Sequence, residues 1–288
     1  MENEKITVIA VEPGRKPYIQ EIQSGLESLQ KEVGGDIQAV YPYDDPISII
    51  CAEEGKLMGM PFNRALRDED GHIYDVLVGK FLIVGLGEDN FTSMPEELIP
   101  KYMEIFDTPE QLVKIGPKNH ILPAMDTTPL YTHTATFARF NDELPQYRES
   151  MQANIACKEA IEKAINENYY DWRLNTQFAE KLVAAQFPVE RIRYVLAATV
   201  QQKNWDGRIS DDNKAWADTI PVADEENRLL YVVDQCHSGL TNLFVSRFRE
   251  ETEKKPSIME KLTTDKQTEP TLKKPSVHQK PKSQGPEL

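Results

Sequence analysis

The chain contains few cysteines and no long apolar run. Its three cysteines, Cys51, Cys157 and Cys236, are widely spaced among 288 residues, which excludes a disulfide framework and indicates a reducing compartment. No stretch reaches the roughly 18 apolar residues that a membrane-spanning helix needs, and residues 1–5 lack the pattern of a signal peptide. The sequence therefore predicts a cytoplasmic protein that makes no membrane contact.

Motifs for nucleotide binding, hydrolysis and metal binding are also absent. The chain has no Gly-Lys-Ser/Thr phosphate loop and no Gly-x-Ser-x-Gly elbow of a serine hydrolase. Gly85-Leu86-Gly87 leads into Glu88 and Asp89, whose charges repel a pyrophosphate, so a plain turn is favoured there. Asp68-Glu69-Asp70-Gly71 lacks the further ligands of a calcium loop, and the histidines and cysteines lack zinc-binding spacing. We therefore predict no metal and no cofactor.

Basic residues are scarce before position 254. The formal net charge is −14, and residues 1–112 alone carry nine basic against 22 acidic side chains. Residues 131–253 carry 14 against 20, whereas residues 254–288 reverse the balance with eight lysines against four acids. An acidic body repels a phosphate backbone, so nucleic-acid binding is disfavoured except as a weak contact through the basic tail. Protein partners fit this charge better.

Residues 1–112 alternate between strand and helix patterns. Short runs rich in β-branched residues predict strands, and Asp70-Gly71 predicts a hairpin turn. These runs are 6–11, 37–41, 47–51, 73–78 and 80–85. Apolar spacing from Ile19 to Val33 predicts a helix that ends at Gly34-Gly35, and Ser93 is expected to begin a second helix that extends to about Phe106. The first domain is therefore predicted to be α+β.

The composition changes after residue 112. Four glycines and prolines within 113–130 predict a linker, and residues 131–253 show helical spacing with cap residues at Asn175 or Thr176 and at Ser210. Residues 254–288 hold five prolines and no aromatic residue, which is typical of a disordered tail. The predicted architecture is an α+β domain (1–112), a linker (113–130), an all-α domain (131–253) and a disordered Lys/Pro-rich tail (254–288).

Three segments carry candidate binding residues. The segment 204–216 combines two tryptophans with a turn and polar residues, which suits either a binding loop or a structural loop that fills a gap between helices. The segment 59–64 is either an exposed loop or a crossover tucked onto the sheet. The third segment, 131–157, contains polar groups among alanines, where Cys157 is expected to be an inert buried thiol. The candidates are Asn63, Arg64, Tyr131, His133, Asn154, Trp205, Asp206, Arg208, Asn213, Lys214 and Trp216.

Two parts of the chain resemble known families. The first resemblance is to an uncharacterised domain family of phages and conjugative elements of Gram-positive gut bacteria, and it covers roughly residues 1–110. It rests on Ser24-Gly25-Leu26-Glu27-Ser28-Leu29-Gln30, Val33 to Ile37, Asn63-Arg64-Ala65-Leu66 and Ile83-Val84-Gly85. The later part is similar to a second uncharacterised family, often fused behind the first. That similarity rests on Tyr131-x-His133, Tyr147-Arg148-x-Ser150, Asn154 to Lys158 and Asn213-Lys214-Ala215-Trp216.

The resemblance implies a setting rather than a reaction. Proteins of this kind resemble accessory factors that help an incoming element establish itself against host defences. The leading hypothesis is a non-catalytic interaction protein that binds a host or element-encoded protein. Two alternatives stay open: an enzyme with a site near His133, Cys157 or the Trp205–Trp216 loop, and an acidic mimic of nucleic acid.

Overall fold

The computed structural model describes residues 5–88, 90–223 and 227–265, with side chains to Glu253. Residues 5–123 contain mostly strands, interrupted by two helices and one 3-10 turn, Glu96–Leu98. The strands are β1 (Lys5–Val11), β2 (Tyr18–Gln23), β3 (Ile37–Val40), β4 (Ile47–Ala52), β5 (Phe62–Arg67), β6 (Ile73–Val78), β7 (Phe81–Leu86), β8 (Phe91–Thr92), β9 (Glu110–Ile115) and β10 (Lys118–Pro123). The helices are α1 (Leu26–Val33) and α2 (Ile99–Ile105).

Five strands form an antiparallel sheet in the order β2-β1-β7-β4-β3, and β8 pairs with the end of β7. Because successive side chains of a strand point to opposite faces, the central strands have two apolar faces. On one face, Ile9, Ile49 and Ile83 pack under the β5–β6 hairpin and α2. On the other face, Val8 and Leu82 belong to the core cluster that contains Leu29 and Val33 of α1. The mixed strand-and-helix prediction for this region is confirmed.

Two strands differ from the sequence prediction. Tyr18–Gln23 forms β2 rather than the first part of a helix, because its backbone pairs with β1 in six register positions from Lys5↔Gln23 to Ala10↔Tyr18. The helix therefore begins only at Leu26, and it ends at Gly34, whose φ of 83° is readily reached by glycine. The second difference is β5, which lies in a segment without periodic signal and pairs with β6 through the turn at Asp70-Gly71.

The predicted linker, 113–130, contains regular secondary structure. Its first half belongs to an antiparallel hairpin, β9–β10, with Ile115 opposite Lys118 around Gly116, whose φ is 63°. A glycine reaches this left-handed conformation without steric cost. Beyond the hairpin, the Asp126 N–H donates to the Gln186 carbonyl at 2.8 Å. The Gly and Pro content of this segment therefore reflects a turn and its exits rather than a free linker.

The chain is helical from Ala135, as predicted, with one short exception. The helices are α3 (Ala135–Phe140), α4 (Leu144–Glu167), α5 (Thr176–Ala184), α6 (Val189–Gln202), α7 (Asp211–Asp218) and α8 (Ser238–Asp265), with a 3-10 turn at Arg228–Tyr231. Asn175 and Ser210 cap α5 and α7 through their side chains. The exception is a two-residue hairpin between β11 (Tyr169–Tyr170) and β12 (Arg173–Leu174), so this region is not entirely α.

The predicted disordered tail, 254–288, begins inside a helix. The α8 backbone stays helical to Asp265, and residues 266–288 lie outside the described residues. The stretch 254–265 contains Pro256, which lacks the backbone N–H of a helical hydrogen bond, so the sequence pattern does not predict that the helix continues. By contacts, residues 1–247 form one unit and a second begins at Phe248. Within the described part of the chain, no helix combines the length and apolar character needed to cross a membrane.

Candidate functional site

Tyr131, His133 and Asn154 come together in the helical region. They line a small cavity of about 10 Å³ between α4, α6 and the 3-10 turn at Arg228–Tyr231. That volume suits a single water molecule rather than a substrate. We call this group the tyrosine cluster; its lining residues are Tyr131, His133, Tyr147, Ser150, Met151, Asn154, Tyr194 and Tyr231.

Aromatic contacts and hydrogen bonds hold Tyr131 in place. Its ring meets Tyr147 edge-on at 6.0 Å between centroids, and its N–H donates to the Ser150 Oγ at 2.9 Å. Its hydroxyl donates to the Glu143 Oε2 at 2.7 Å. Burial, together with this carboxylate, raises the pKa of Tyr131 to about 12. The phenol is therefore neutral near pH 7 and is held as a structural donor.

We expect alkaline pH to destabilise the fold, because several tyrosines have a raised pKa in the folded state. Burial raises the pKa of Tyr43 to about 12, and burial with the Asp45 carboxylate raises that of Tyr102 as well. An unfolded phenol ionises near pH 10. The unfolded state therefore loses protons first, so stability that is full below about pH 10 declines between about pH 10 and 12. Urea midpoints across this range, with near-ultraviolet tyrosinate absorbance, measure it. Tyr43→Phe should flatten the decline, and a constant midpoint to about pH 11 would contradict the prediction.

Asn154 accepts a hydrogen bond from a buried arginine, Arg191, which the sequence interpretation did not single out. Arg191, 1% exposed, donates through Nη1 to the Asn154 Oδ1 and to the Ser150 carbonyl at 3.0 Å. Its Nη2 donates to the Thr128 carbonyl at 2.7 Å. Burial lowers the pKa of Arg191, and nearby Asp126 opposes that shift. This clamp joins α4, α6 and the segment before α3, which makes Asn154 a structural acceptor.

The cysteines do not offer an activated nucleophile. Cys157 is fully buried on α4, and burial raises the pKa of its thiol well above the ordinary value. Burial and the nearby Glu162 raise the pKa of Cys236 to about 11. Nucleophilic cysteines need the opposite shift, because the thiolate is the reactive form. His133 is exposed and stacks on Phe137 at 4.4 Å between ring centroids, in surroundings unlike those of Cys157.

The Asp206 and Arg208 side chains satisfy each other. The Arg208 Nε and Nη2 donate to the Asp206 carboxylate at 2.9 and 2.7 Å, and the Arg208 N–H adds a bond at 3.0 Å. These bonds hold the pKa of the Asp206 carboxyl well below its usual range. The Arg208 Nη1 also lies 3.2 Å from the His237 Nε2. The pair therefore stiffens the loop and leaves the exposed Trp205 beside it.

Asn213, Lys214 and Trp216 lie on α7. Asn213 is fully buried and donates to the Asn242 Oδ1 at 2.7 Å and to the Ser246 Oγ at 3.0 Å. Lys214 is half-buried at 3.9 Å from Asp211, and Trp216 is half-buried. Asn213 thus bonds α7 to α8, and Trp205 is the large side chain that this predicted binding segment exposes.

Asn63 and Arg64 do not form an exposed loop. Both are buried on β5, with Asn63 donating to the Val11 and Gly79 carbonyls at 3.0 and 2.7 Å. Arg64 donates to the Phe106 and Arg15 carbonyls at 3.0 and 2.7 Å. Buried polar groups need such partners, so these residues hold the hairpin to the sheet. They are structural rather than partner-facing.

Two exposed aromatic residues escaped the sequence interpretation. Tyr170 and Trp172 lie in the hairpin after α4, where they are 73% and 91% exposed. Asp171 and Trp172 have φ values of 48° and 63°, as a tight type I′ turn requires. That conformation is unfavourable for a bulky residue and is often kept for function. The turn lacks the usual Asn-Gly or Asp-Gly pair, so no sequence signal marked it.

The hairpin and Trp205 lie at the same end of the helical region. Arg191 in the first turn of α6 contacts Ser150 and Asn154 early in α4. Late in both helices, the Thr199 Oγ1 and the Glu162 Oε1 accept from the consecutive N–H groups of residues 233 and 234. The two helices therefore run in the same direction, and the segments that follow them emerge together. We call Tyr170, Trp172 and Trp205 the aromatic end.

The chain matches two families of unknown function. Residues 6–107 match the family described as a domain of unknown function (DUF3846), and residues 130–253 match the one described as a protein of unknown function (DUF3849). The two matches coincide with the strand-rich and the helical regions, as the sequence interpretation expects of two fused domains. No curated protein and no solved structure matches the chain.

The polar candidate residues in the DUF3849 match take part mainly in bonds within the chain. Among the residues that the structure describes, no group of three or more His, Cys, Asp or Glu side chains is arranged to hold a metal ion. The tyrosine cluster has room for about one water molecule. The aromatic end is instead open to solvent and held by anchored loops.

Proposed function

We propose that this chain is a non-catalytic interaction protein that binds a basic protein partner through the aromatic end. The observation that carries the proposal is the exposure of Tyr170, Trp172 and Trp205 at one end of two parallel helices. Tryptophan and tyrosine are enriched among the residues that dominate binding energy at protein interfaces. Their large rings bury much area and lose little conformational entropy on binding.

Both supporting loops are anchored, which favours binding further. The Lys203 Nζ donates to the Val233 carbonyl at 2.6 Å on one side of Trp205, and the Asp206–Arg208 pair stiffens the other side. The hairpin that carries Trp172 is closed by the pairs Tyr169↔Leu174 and Tyr170↔Arg173. A preorganised surface pays less ordering entropy on binding, so the aromatic rings contribute more to the net affinity.

The local electrostatics favour a cationic partner. Both α4 and α6 end here, and α4 has no basic residue in its last turn to offset the partial negative charge of a helix C-terminus, whereas Lys203 directly follows α6. The chain as a whole carries a formal charge of −14. Lysine or arginine on the partner would complement this charge and bind over the tryptophan faces.

The proposal includes a setting that the family resemblance suggests. We place the protein in the cytoplasm as an accessory factor of a mobile element, helping that element become established against host defence. The partner is then a protein of the host or of the element itself. The setting rests on the family resemblance, and the contact surface rests on the geometry of the aromatic end.

Removing the aromatic end tests the proposal. We expect the double variant Trp172→Ala, Trp205→Ala to weaken binding of the captured partner by at least about tenfold, since interface tryptophans often contribute about 2 kcal/mol each. The partner is captured from the source bacterium at native salt, purified and titrated against full-length variants. Because both side chains are largely exposed, the thermal midpoint should change little.

Phe140→Ala is the matched control. Phe140 is also a highly exposed aromatic residue, but it lies just before α4 begins, away from the aromatic end. This variant should bind the partner as the native chain does. Equal affinity of the double variant and the native chain would overturn the proposal, as would a failure to capture any protein partner.

A further inference from the structure

A groove lies on the face of the sheet that α1 only partly covers. With eight residues, α1 is about 12 Å long. The seven-residue strand β1 extends about 23 Å. One end of this apolar face therefore projects beyond the helix. The resulting cavity has a volume of about 860 Å³ and is lined in part by Ile6, Leu26, Leu29 and Tyr41.

The groove is apolar at its base and open at its rim. Ile6 and Leu29 are buried, whereas Leu26 and Tyr41 are 58% and 60% exposed, and Leu86 is also exposed. Isolated exposed apolar side chains are common, but several around one cavity are typical of a docking site. Cavities of several hundred cubic ångströms are large enough to hold a ligand or the anchoring side chains of a peptide.

The surroundings of this groove favour a cationic occupant. Glu88 lines the groove and is exposed, and residues 1–112 carry 22 acidic against nine basic side chains. Lys5 also lines the groove, but its Nζ is paired with the Glu21 Oε2 at 3.3 Å. An occupant that adds lysine or arginine gains attraction here, whereas an acidic one meets repulsion.

The geometry points to a second protein-binding site, which takes an amphipathic segment of a partner with apolar side chains flanked by lysine or arginine. The apolar side chains enter the groove over Ile6 and Leu29, and the cations meet Glu88 and the acidic surface of the strand-rich region. This site lies in the strand-rich region and shares no residue with the aromatic end. The chain thereby has two separate contact surfaces, as an adaptor that joins two protein segments requires.

A synthetic helical peptide of leucine and lysine is the probe. We expect the full-length chain to bind it at least about tenfold more tightly than the same peptide with glutamate in place of lysine. The double variant Leu26→Lys, Tyr41→Lys should weaken lysine-peptide binding by about tenfold or more, because it removes apolar contacts and adds like charge. Leu57→Lys, at an exposed leucine outside the groove lining, is the matched control and should change the affinity less than about twofold.

The outcomes separate this site from the aromatic end. Titration calorimetry measures affinity, and a photoreactive version of the peptide identifies the residues that it contacts. Equal weakening by the groove variant and by Leu57→Lys, or cross-links that avoid the groove, would overturn the inference. The Trp172→Ala, Trp205→Ala variant should bind the lysine peptide like the native chain. Loss of peptide binding in that variant would instead assign the peptide to the aromatic end and contradict a separate groove site.

Discussion

Substitution of Arg191 by alanine is expected to lower the free energy of unfolding by about 3–5 kcal/mol. The guanidinium is almost fully buried and bonds to the Ser150 and Thr128 carbonyls and to the Asn154 side chain. Alanine leaves those acceptors without their donor in a dry environment and creates a cavity where a long side chain was. The loss also releases the segment around Thr128 from the helices.

Arg193→Ala provides the matched control on the same helix. Arg193 is exposed two residues further along α6, so its truncation should change stability by less than about 0.5 kcal/mol. Arg191→Lys should fall between the two, because an ammonium keeps the charge but not the planar fork of donors. Urea unfolding followed by tryptophan fluorescence measures the effect, since all three tryptophans lie in residues 131–253. A loss in Arg191→Ala no larger than that of Arg193→Ala would contradict the clamp.

The Arg191 clamp also shows what a single sequence hides about a candidate site. Polar residues such as Asn154 attract functional interpretations because their burial is not visible in the sequence. An arginine within a helical pattern is ordinarily expected to reach solvent, so nothing in the sequence indicates that Arg191 points inward. Arg191 on α6 donates a hydrogen bond to Asn154 on α4, although 37 positions separate the two residues in the sequence. Only the packing of the helices brings them together and turns a candidate ligand into a structural bond.

The sequence predicted those strands and helix ends that depend on residues close together in the chain. The strands β1 and β4 follow from apolar β-branched runs, and the ends of α1, α5 and α7 follow from Gly34, Asn175 and Ser210. β2 was not predictable in this way, because its apolar residues Ile19 and Ile22 have helical spacing. Pairing with β1 overrides that spacing, since it satisfies the backbone groups along the whole strand.

The same distinction applies to the candidate binding surface. Trp205 could be selected from the sequence because a tryptophan in a polar turn is unusual. Trp172 could not, because its hairpin depends on two positive φ values at Asp171 and Trp172 that no glycine signals. The convergence of the two loops depends on the parallel directions of α4 and α6. A surface assembled by tertiary packing therefore needs the structure, even when one of its residues is conspicuous in the sequence.

In the strand-rich region, the largest expected effect is from Arg64. We expect Arg64→Ala to lower the free energy of unfolding by about 3–4 kcal/mol. Its Nε and Nη2 donate to the Phe106 carbonyl at 3.3 and 3.0 Å, and Nη2 also donates to the Arg15 carbonyl at 2.7 Å. These bonds connect the end of α2, the loop after β1 and the β5–β6 hairpin. Alanine would leave buried carbonyls unpaired at all three places and allow the hairpin to separate from the sheet.

Arg67→Ala on the same strand is the control, since it also removes an arginine side chain but not the bonds that Arg64 makes. Arg67 is more exposed than Arg64 and pairs with one residue, Glu110, which keeps its bond from the Ala65 N–H when Arg67 is truncated, so we expect a smaller loss than in Arg64→Ala. Hydrogen–deuterium exchange of peptides from residues 5–123, followed at increasing urea concentration, is the appropriate measurement, because this region has no tryptophan and the helices elsewhere dominate the circular dichroism. Equal midpoints for Arg64→Ala and Arg67→Ala would show that Arg64 does not hold the hairpin. A larger loss for Arg64→Ala is expected because its bonds are buried and join three separate segments, whereas the Arg67 ion pair joins only β5 to Glu110 at the start of β9.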